Sequence, residues 1–69
     1  MNHPPLRFLR RPEVESRTGL ARTTIYMMER AGKFPNRHTL SPRCVAWLES
    51  DVDQWIRERA AAGAGRNSA

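Results

Sequence analysis

Side chains that can contact an anion or a base edge lie close together near the middle of the chain. Arg22, Thr23, Thr24 and Tyr26 place a guanidinium, two hydroxyls and a phenol within a few consecutive positions. Arginine can bridge guanine O6 and N7, and threonine bonds a phosphate or touches a thymine methyl. These residues therefore suit nucleic-acid recognition. The alternatives are plain solvent exposure for the threonines and a half-buried ring with a wet hydroxyl for Tyr26.

The charge of the chain is unevenly distributed. Residues 30–47 contain four basic side chains and no acid, whereas residues 49–58 contain four acids against one arginine. The four basic residues are Arg30, Lys33, Arg37 and Arg43. A basic region beside an exposed helix is typical of a nucleic-acid-binding protein, with ordinary solvated charge as the alternative.

Composition excludes several classes of protein. The chain has 69 residues, a net charge of +5 and a single cysteine, Cys44. We expect one small domain of marginal stability, without a disulfide or multi-cysteine zinc site, in a reducing cytoplasm. No apolar stretch is long enough for a membrane span, and residues 1–5 lack a signal-peptide core. We therefore expect no membrane partner.

Residues suited to catalysis are scarce. His3 lies in the tail and His38 in a predicted strand, and neither has a metal-ligand spacing with cysteine or carboxylate. Asp51 and Asp53 are explained by helix capping, and Cys44 has no activating base. Eleven of the twelve basic residues are arginine, which suits phosphate and base-edge recognition. We predict that the chain is no enzyme and uses no cofactor or metal.

The spacing of proline and glycine predicts the secondary structure around these residues. Leu6 to Leu9 suit a short strand or an extended segment, and Pro12 suits the first turn of a helix that ends at Gly19. A second helix is expected over residues 21–31, ending at Gly32. It directs Ile25 inward and Thr23, Tyr26, Met27 and Arg30 outward.

Two strands and a third helix are predicted downstream. Thr39-Leu40 and residues 44–48 flank the turn-like Ser41-Pro42-Arg43, which indicates a β-hairpin. Ser50 fits the N-cap of a third helix that ends near residues 60–62. We expect flexible tails at residues 1–5 and 63–69 and one domain at 6–62. The predicted core comprises Leu9, Val14, Leu20, Ile25, Met28, Phe34, Leu40, Val45, Trp47, Val52, Trp55 and Ile56.

This order of elements predicts an α+β, mostly α, winged helix-turn-helix with three helices, a hairpin wing and a possible short N-terminal strand. Two helices joined by the turn Thr18-Gly19-Leu20 form the helix-turn-helix pattern. In that pattern the second helix enters the major groove of DNA, and the wing at 36–48 lies on the backbone or in the minor groove. The predicted DNA-binding residues are Arg22, Thr23, Thr24, Tyr26, Met27, Arg30, Arg37, His38, Ser41 and Arg43.

An ordered set of motifs across residues 6–57 resembles the AlpA family of small prophage-associated regulators. The motifs are L-R-F-L-R-R-P-E-V-E-S-R-T-G-L from Leu6, T-I-Y from Thr24, G-K-F-P from Gly32, and R-C-V-A-W-L-E-S-D-V-D-Q-W-I from Arg43. This family belongs to a MerR-like winged-helix group that includes phage excisionases. The resemblance implies a cytoplasmic DNA-binding regulator of prophage or island genes. It places Arg22, Thr24 and Tyr26 on the recognition helix and Arg43 on the wing.

The sequence departs from the family pattern at several positions. Ala21 stands where a serine cap is usual, a change that costs about 1 kcal/mol at a helix start. Ser41-Pro42 replaces a glycine pair and predicts a stiffer wing turn. Ala46 replaces a glycine, and Met27 replaces a residue that is often basic, which predicts one phosphate contact fewer.

The sequence leaves several functions open. The first is an activator of phage-related genes, which binds duplex DNA as a monomer that assembles on adjacent sites. The second is an excisionase-type factor that bends DNA and recruits integrase. The third is a DNA-docked factor that contacts RNA polymerase to alter elongation, with the acidic residues 49–58 as its contact face. The fourth is an adaptor or antitoxin-like module that binds no DNA.

Overall fold

The first and the last strand of the sheet tie the two ends of the domain together. A computed structural model describes residues 6–66, so the predicted flexibility of residues 1–5 and 67–69 lies outside the described part of the chain. The elements are β1 (Phe8–Leu9), α1 (Arg11–Thr18), α2 (Arg22–Arg30), β2 (His38–Ser41), β3 (Cys44–Leu48) and α3 (Glu49–Arg66). The predicted α+β winged helix-turn-helix is confirmed.

The sheet is antiparallel with β3 in the centre. Its strand order is β1-β3-β2, and Phe8 pairs with Leu48 while Thr39 pairs with Val45. The turn at residues 42–43 closes the β2–β3 hairpin, as the proline predicted. Ser41 belongs to β2 and pairs with Cys44, after a register shift that follows Thr39.

The core lies between this sheet and the helices, and α1 and α3 both contact β3. Six buried side chains form it: Leu9, Val14, Ile25, Phe34, Trp47 and Val52. Four of the other predicted core residues lie partly buried against them: Leu20, Met28, Trp55 and Ile56. Ala46 is fully buried although it was not predicted in the core.

Leu40 was predicted in the core, and this prediction is wrong. Its side chain is 44% exposed, because β2 is an edge strand in which all four residues are exposed. The register shift between Thr39 and Ser41 also interrupts the alternation at this position. Within residues 6–66, no helix or strand covers the side chain of Leu40 in this short edge strand.

The start and end of α3 also differ from the sequence-based expectation. The helix begins at Glu49, directly after β3, so Ser50 lies inside it and is not its N-cap. The Glu49 amide donates to the Arg7 carbonyl at 2.8 Å, and this bond takes the place of a side-chain cap. The helix continues to Arg66 and not to residues 60–62, since its alanine-rich end favours helix.

Candidate nucleic-acid interface

The turn between α1 and α2 is closed by Thr18 and Gly19. The Thr18 hydroxyl donates to the Val14 carbonyl at 2.8 Å and accepts from the Leu20 amide at 3.2 Å. Gly19 has φ +75°, in the left-handed region, and its amide donates to the Glu15 carbonyl at 2.8 Å. These bonds end α1 and set the direction in which α2 begins.

The outer face of α2 carries the predicted polar residues. Ile25 is only 2% exposed, whereas Thr23 and Thr24 are exposed, Tyr26 is 47% exposed and Met27 is 61% exposed. The predicted orientation of this helix is therefore confirmed. The amphipathic pattern that buries Ile25 leaves one continuous face of α2 available to a ligand.

Arg30 and Tyr26 form a pair along this face, one helical turn apart. Nη1 of Arg30 donates to the Tyr26 hydroxyl at 3.2 Å, and the guanidinium carbon lies 5.7 Å from the ring centroid. This combination of a hydrogen bond and a cation–π contact holds the phenol in one orientation. The pair presents a positive charge and an aromatic ring on the same exposed surface.

Four of the predicted site residues meet in one groove of about 310 Å³ between the start of α1, α2 and the base of the wing. We call it the arginine groove. Its lining residues are Arg11, Arg22, Thr23, Ile25, Tyr26, Arg37 and Trp47. Arginine and threonine side chains both donate to phosphate oxygens, so the lining suits an anionic ligand.

Arg37 is held at the base of this groove by Glu29. The Arg37 Nη2 and Nε atoms donate to Glu29 Oε1 at 2.7 and 3.1 Å, and the Arg37 amide donates to Oε2 at 2.8 Å. The hydrogen bond to Glu29 raises the pKa of Arg37, against a smaller opposing effect of desolvation. The guanidinium carbon also lies 5.5 Å from the centre of the Trp47 ring.

The other six predicted residues do not line the groove: Thr24, Met27 and Arg30 lie on α2, and His38, Ser41 and Arg43 lie on the wing. Arg43 is exposed in the hairpin turn, and Ser41 is exposed beside it. His38 is also exposed, and its ring packs edge-on against Phe8 with centroids 5.8 Å apart. The structure therefore separates two basic regions, the arginine groove and the wing tip.

Arg11 is a groove residue that the sequence analysis missed. It occupies the first position of α1, where the repulsion between a cation and the helix dipole destabilises the helix by roughly 0.3–1 kcal/mol. Arg22 holds the same unfavourable position in α2, which has no acid in its first turn. Arginine at two helix starts, where its charge is unfavourable, was the signal in the sequence that could have drawn attention to these two residues.

The acidic residues of α3 are largely compensated on the side that faces α1. Arg17 lies 2.8 Å from Glu49 and 3.3 Å from Asp53, and it also approaches Glu13 at 3.5 Å. Arg7 joins this cluster through Glu13 at 3.2 Å. The acidity predicted for residues 49–58 is thus partly used to hold α3 against α1.

The sequence of residues 7–60 matches the family described as Prophage CP4-57 regulatory protein (AlpA). The chain belongs to the AlpA family. The match covers every element from the strand β1 to the larger part of α3, so it includes the arginine groove and the wing. The resemblance inferred from the sequence motifs is thereby confirmed.

Two relatives of this AlpA-family chain show how the similarity is distributed. An uncharacterised protein of Enterobacteria phage P4, ORF88, is 49% identical over 55 residues, which are 80% of this chain and 62% of that protein. The DNA-binding transcriptional activator AlpA of Escherichia coli K12 is 34% identical over 64 residues, 84% of this chain and 91% of that protein. The chain therefore spans less than two thirds of the phage P4 relative.

Residues 6–66 contain no group of side chains that could hold a metal ion and no helix that could span a membrane. Within this range no three histidine, cysteine, aspartate or glutamate side chains come together in a way that could hold a metal ion. None of the helices in this part of the chain combines the length and the apolar character needed to cross a bilayer. His3 lies outside the described range.

Proposed function

We propose that this AlpA-family chain is a sequence-specific, double-stranded-DNA-binding regulator that activates transcription of prophage or island genes. In this proposal α2 and its flanking residues, 21–31, enter the major groove. The wing, residues 36–48, follows the backbone or the neighbouring minor groove. The protein works in the cytoplasm at the nucleoid and is no enzyme.

The observation that carries the proposal is the exposed polar face of α2, held in a fixed relation to a basic wing. A reading helix needs side chains free to reach base edges and a scaffold that fixes its orientation. Thr23, Thr24 and Tyr26 are exposed, while Glu29 on the same helix is bonded to Arg37 at the base of the wing. Both requirements are therefore met by one helix.

Family membership supports the same function. The family is described as a regulatory protein, and the Escherichia coli relative is a DNA-binding transcriptional activator. Net charge also favours duplex DNA, because the chain carries +5 at neutral pH. The compensated charges of α3 offer less to a protein partner than the sequence suggested, so an RNA-polymerase contact through Glu49 and Asp53 is not favoured.

The experiment is a titration of the purified chain against random-sequence duplex DNA by fluorescence anisotropy at several salt concentrations. A few phosphate contacts per subunit predict a log–log salt slope of about −3 to −6. Duplex affinity that does not change between low and physiological salt contradicts the proposal. So does an affinity for DNA no greater than that of an acidic or neutral polymer control.

Mapping of protected DNA across the genome of the native host then separates regulator from excisionase. A transcriptional activator occupies promoter regions, whereas an excision factor occupies an attachment site beside an integrase gene. The oligomeric state is read from the same complexes, since we propose a monomer that assembles on adjacent sites. Sedimentation of the free protein as a stable dimer contradicts that part of the proposal.

A further inference from the structure

The arginine groove differs in charge from two other grooves on the described surface. The groove between residues 32–35 and α3 is lined by two cations and two acids: Lys33, Arg59, Asp51 and Glu58. The groove between α1 and α3 is lined by two arginines: Arg17, which is paired with three carboxylates, and Arg59, whose guanidinium carbon lies 5.1 Å from the centroid of the Trp55 ring. The arginine groove has three guanidinium groups, the largest number of the three grooves, and no acid among its described lining residues.

Part of this charge remains after internal pairing is considered. Glu29 does not line the groove, but it pairs with Arg37 and neutralises its charge. The residues that line the groove therefore keep an excess of two positive charges, from Arg11 and Arg22. Neither of these side chains forms an ion pair within residues 6–63, the range whose side chains are described. Like charges that face a shared concavity without a counterion favour binding of an anion.

Arg37 contributes an oriented donor to the same groove. Its Nε and Nη2 atoms are bonded to Glu29, while Nη1 has no hydrogen-bond partner among the described side chains. A guanidinium that is fixed on one side by a carboxylate loses little rotamer entropy when its free N–H groups bind a ligand. Thr23 adds a hydroxyl donor to the groove lining.

We propose that the arginine groove is a seat for one phosphate of the DNA backbone, with Arg11 on α1 as its main charged contact. The inference rests on the proposed function and adds a contact residue outside the recognition helix and the wing. Phosphate is the ligand because planar guanidinium groups bond two of its oxygens at once.

The position of the groove fits the course of a DNA strand past this fold. In helix-turn-helix complexes the first helix crosses the backbone while the second lies in the major groove. The groove lies between the start of α1 and the start of α2, so its two unpaired arginines belong to one helix each. A phosphate bound there would fix the depth and register of α2 in the major groove without reading sequence.

The test compares Arg11→Ala with Arg57→Ala, a matched removal of an exposed arginine on α3 that lines none of these three grooves. Each variant is titrated against the tightest duplex found by selection and against a scrambled duplex. Arg11→Ala should weaken both complexes by a similar factor, roughly tenfold, and flatten the salt slope by about one unit. Arg57→Ala should leave both affinities and the slope unchanged.

A scan with neutral methylphosphonate linkages locates the contact on the DNA. Wild-type protein should lose affinity at several of the neutralised phosphates, and Arg11→Ala should be insensitive at one of these positions. Unfolding in urea, with the same midpoint for both variants, confirms that the fold is intact. If Arg11→Ala unfolds at lower urea, Arg11→Lys serves instead and should bind the duplex more weakly than wild type.

The outcomes separate the two proposals. If wild type binds duplex and Arg11→Ala binds it equally well, the groove assignment is wrong while the proposed function stands. The assignment is also wrong if Arg11→Ala loses affinity but stays sensitive to every methylphosphonate that affects wild type. If wild type shows no salt-dependent affinity for any duplex, the proposed function and this inference both fail.

Discussion

The carboxylate of Glu29 connects α2, the proposed recognition helix, to the base of the wing through Arg37. Their side chains meet at 2.7 Å, and the Glu29 side chain is only 9% exposed. The same carboxylate accepts the Trp47 indole N–H at 3.2 Å, while that N–H also reaches the Pro35 carbonyl at 3.1 Å. One acid on α2 thus joins the helix, the segment before β2 and the central strand β3.

Replacement of this acid should loosen the wing. Glu29→Gln removes the charge that holds Arg37 and leaves only one acceptor oxygen for the donors of Arg37 and Trp47. We expect the free energy of unfolding to fall by about 1–3 kcal/mol, the usual result of breaking a hydrogen bond to a buried charged group. Urea denaturation followed by tryptophan fluorescence measures the change.

The matched control is Glu58→Gln on α3. Glu58 is exposed and accepts one hydrogen bond, from Gln54 at 2.8 Å. Its replacement should change the free energy of unfolding by less than about 0.5 kcal/mol. Equal effects of the two substitutions would mean that the Glu29–Arg37 contact does not hold the wing in solution.

Removal of an arginine from α2, the proposed recognition helix, and removal of one from the wing tip should affect DNA binding differently. Arg22 begins α2, where a side chain can meet base edges, and Arg43 is exposed in the hairpin turn. Arg22→Ala should weaken binding to a scrambled duplex through the lost charge in the arginine groove, and it should cost about 1–3 kcal/mol more on the selected duplex, where a base contact is also lost. Arg43→Ala should weaken both complexes by similar factors and flatten the salt slope by about one unit.

Titration of both variants against both duplexes, at several salt concentrations, distinguishes these effects. An equal loss for Arg22→Ala on both duplexes would mean that Arg22 contributes only to phosphate binding in the arginine groove. Specificity would then have to come from Thr23, Thr24, Tyr26 or the shape of the DNA. If neither variant alters binding, the protein does not dock on DNA through α2 and the wing.

We expect the Trp55 side chain to stabilise the fold rather than to contact a binding partner. Its indole N–H donates to the Lys33 carbonyl at 2.8 Å, and its ring meets Phe34 edge-on with centroids 4.9 Å apart. Because the side chain is only partly buried, we expect Trp55→Ala to cost about 3 kcal/mol, the lower end for loss of a large aromatic. Trp55→Phe keeps the ring contact and should cost only about 1 kcal/mol, for the lost hydrogen bond.

Thermal unfolding of both Trp55 variants, followed by circular dichroism, provides the measurement. A domain of this size has only a few kcal/mol of stability, so Trp55→Ala should be substantially unfolded at 37 °C. An alanine variant that unfolds at the wild-type temperature but loses DNA binding would show that this face of α3 is an interaction surface.

The left-handed conformation of Gly19 in the turn between α1 and α2 can be tested by substitution, with Gly63 in α3 as the control position. A Cβ at Gly19 would meet no atom within 4 Å, so only its φ of +75° opposes a side chain. Gly19→Ala should therefore destabilise the domain by about 1–2 kcal/mol. Gly63→Ala, an exposed helical position in α3 with the same open space, should be neutral or stabilise it by up to about 1 kcal/mol. Urea midpoints of the two variants that move in the same direction would contradict this account.

Local chemistry made much of the fold predictable. Gly19 marked the end of α1, Pro42 marked the hairpin turn, and the 3.6-residue period around Ile25 gave the buried face of α2. The order of the elements followed from the same local signals, and the family motifs implied which residues lie on the recognition helix and the wing. Of the predicted tails at 1–5 and 63–69, residues 63–66 belong to α3, which corrects that part. The flexibility of the other tail residues remains a prediction, as does the role of each DNA-binding residue.

The errors arose where tertiary contacts replaced local signals. Ser50 has the sequence of an N-cap, but the Arg7 carbonyl satisfies the Glu49 amide and allows α3 to start earlier. Leu40 was placed in the core because it is apolar, but it lies in an exposed edge strand. A sequence does not reveal which strand lies at a sheet edge. The pairing of Arg37 with Glu29 across the turn between α2 and β2 was not foreseen either, since no helical or strand spacing rule describes it. The DNA contact predicted for Arg37 stays a prediction.

The pairing of β1 with β3 has a consequence for the biogenesis of the protein. Leu9 is made early, but its partner Trp47 is made only after both helices and the first wing strand. Because Leu9 packs against residues that are made after it, the core around β1 cannot close until β3 has been synthesised. A translation product that stops before β3 should therefore be cleared by proteolysis, since it can close neither the sheet nor the core around Leu9.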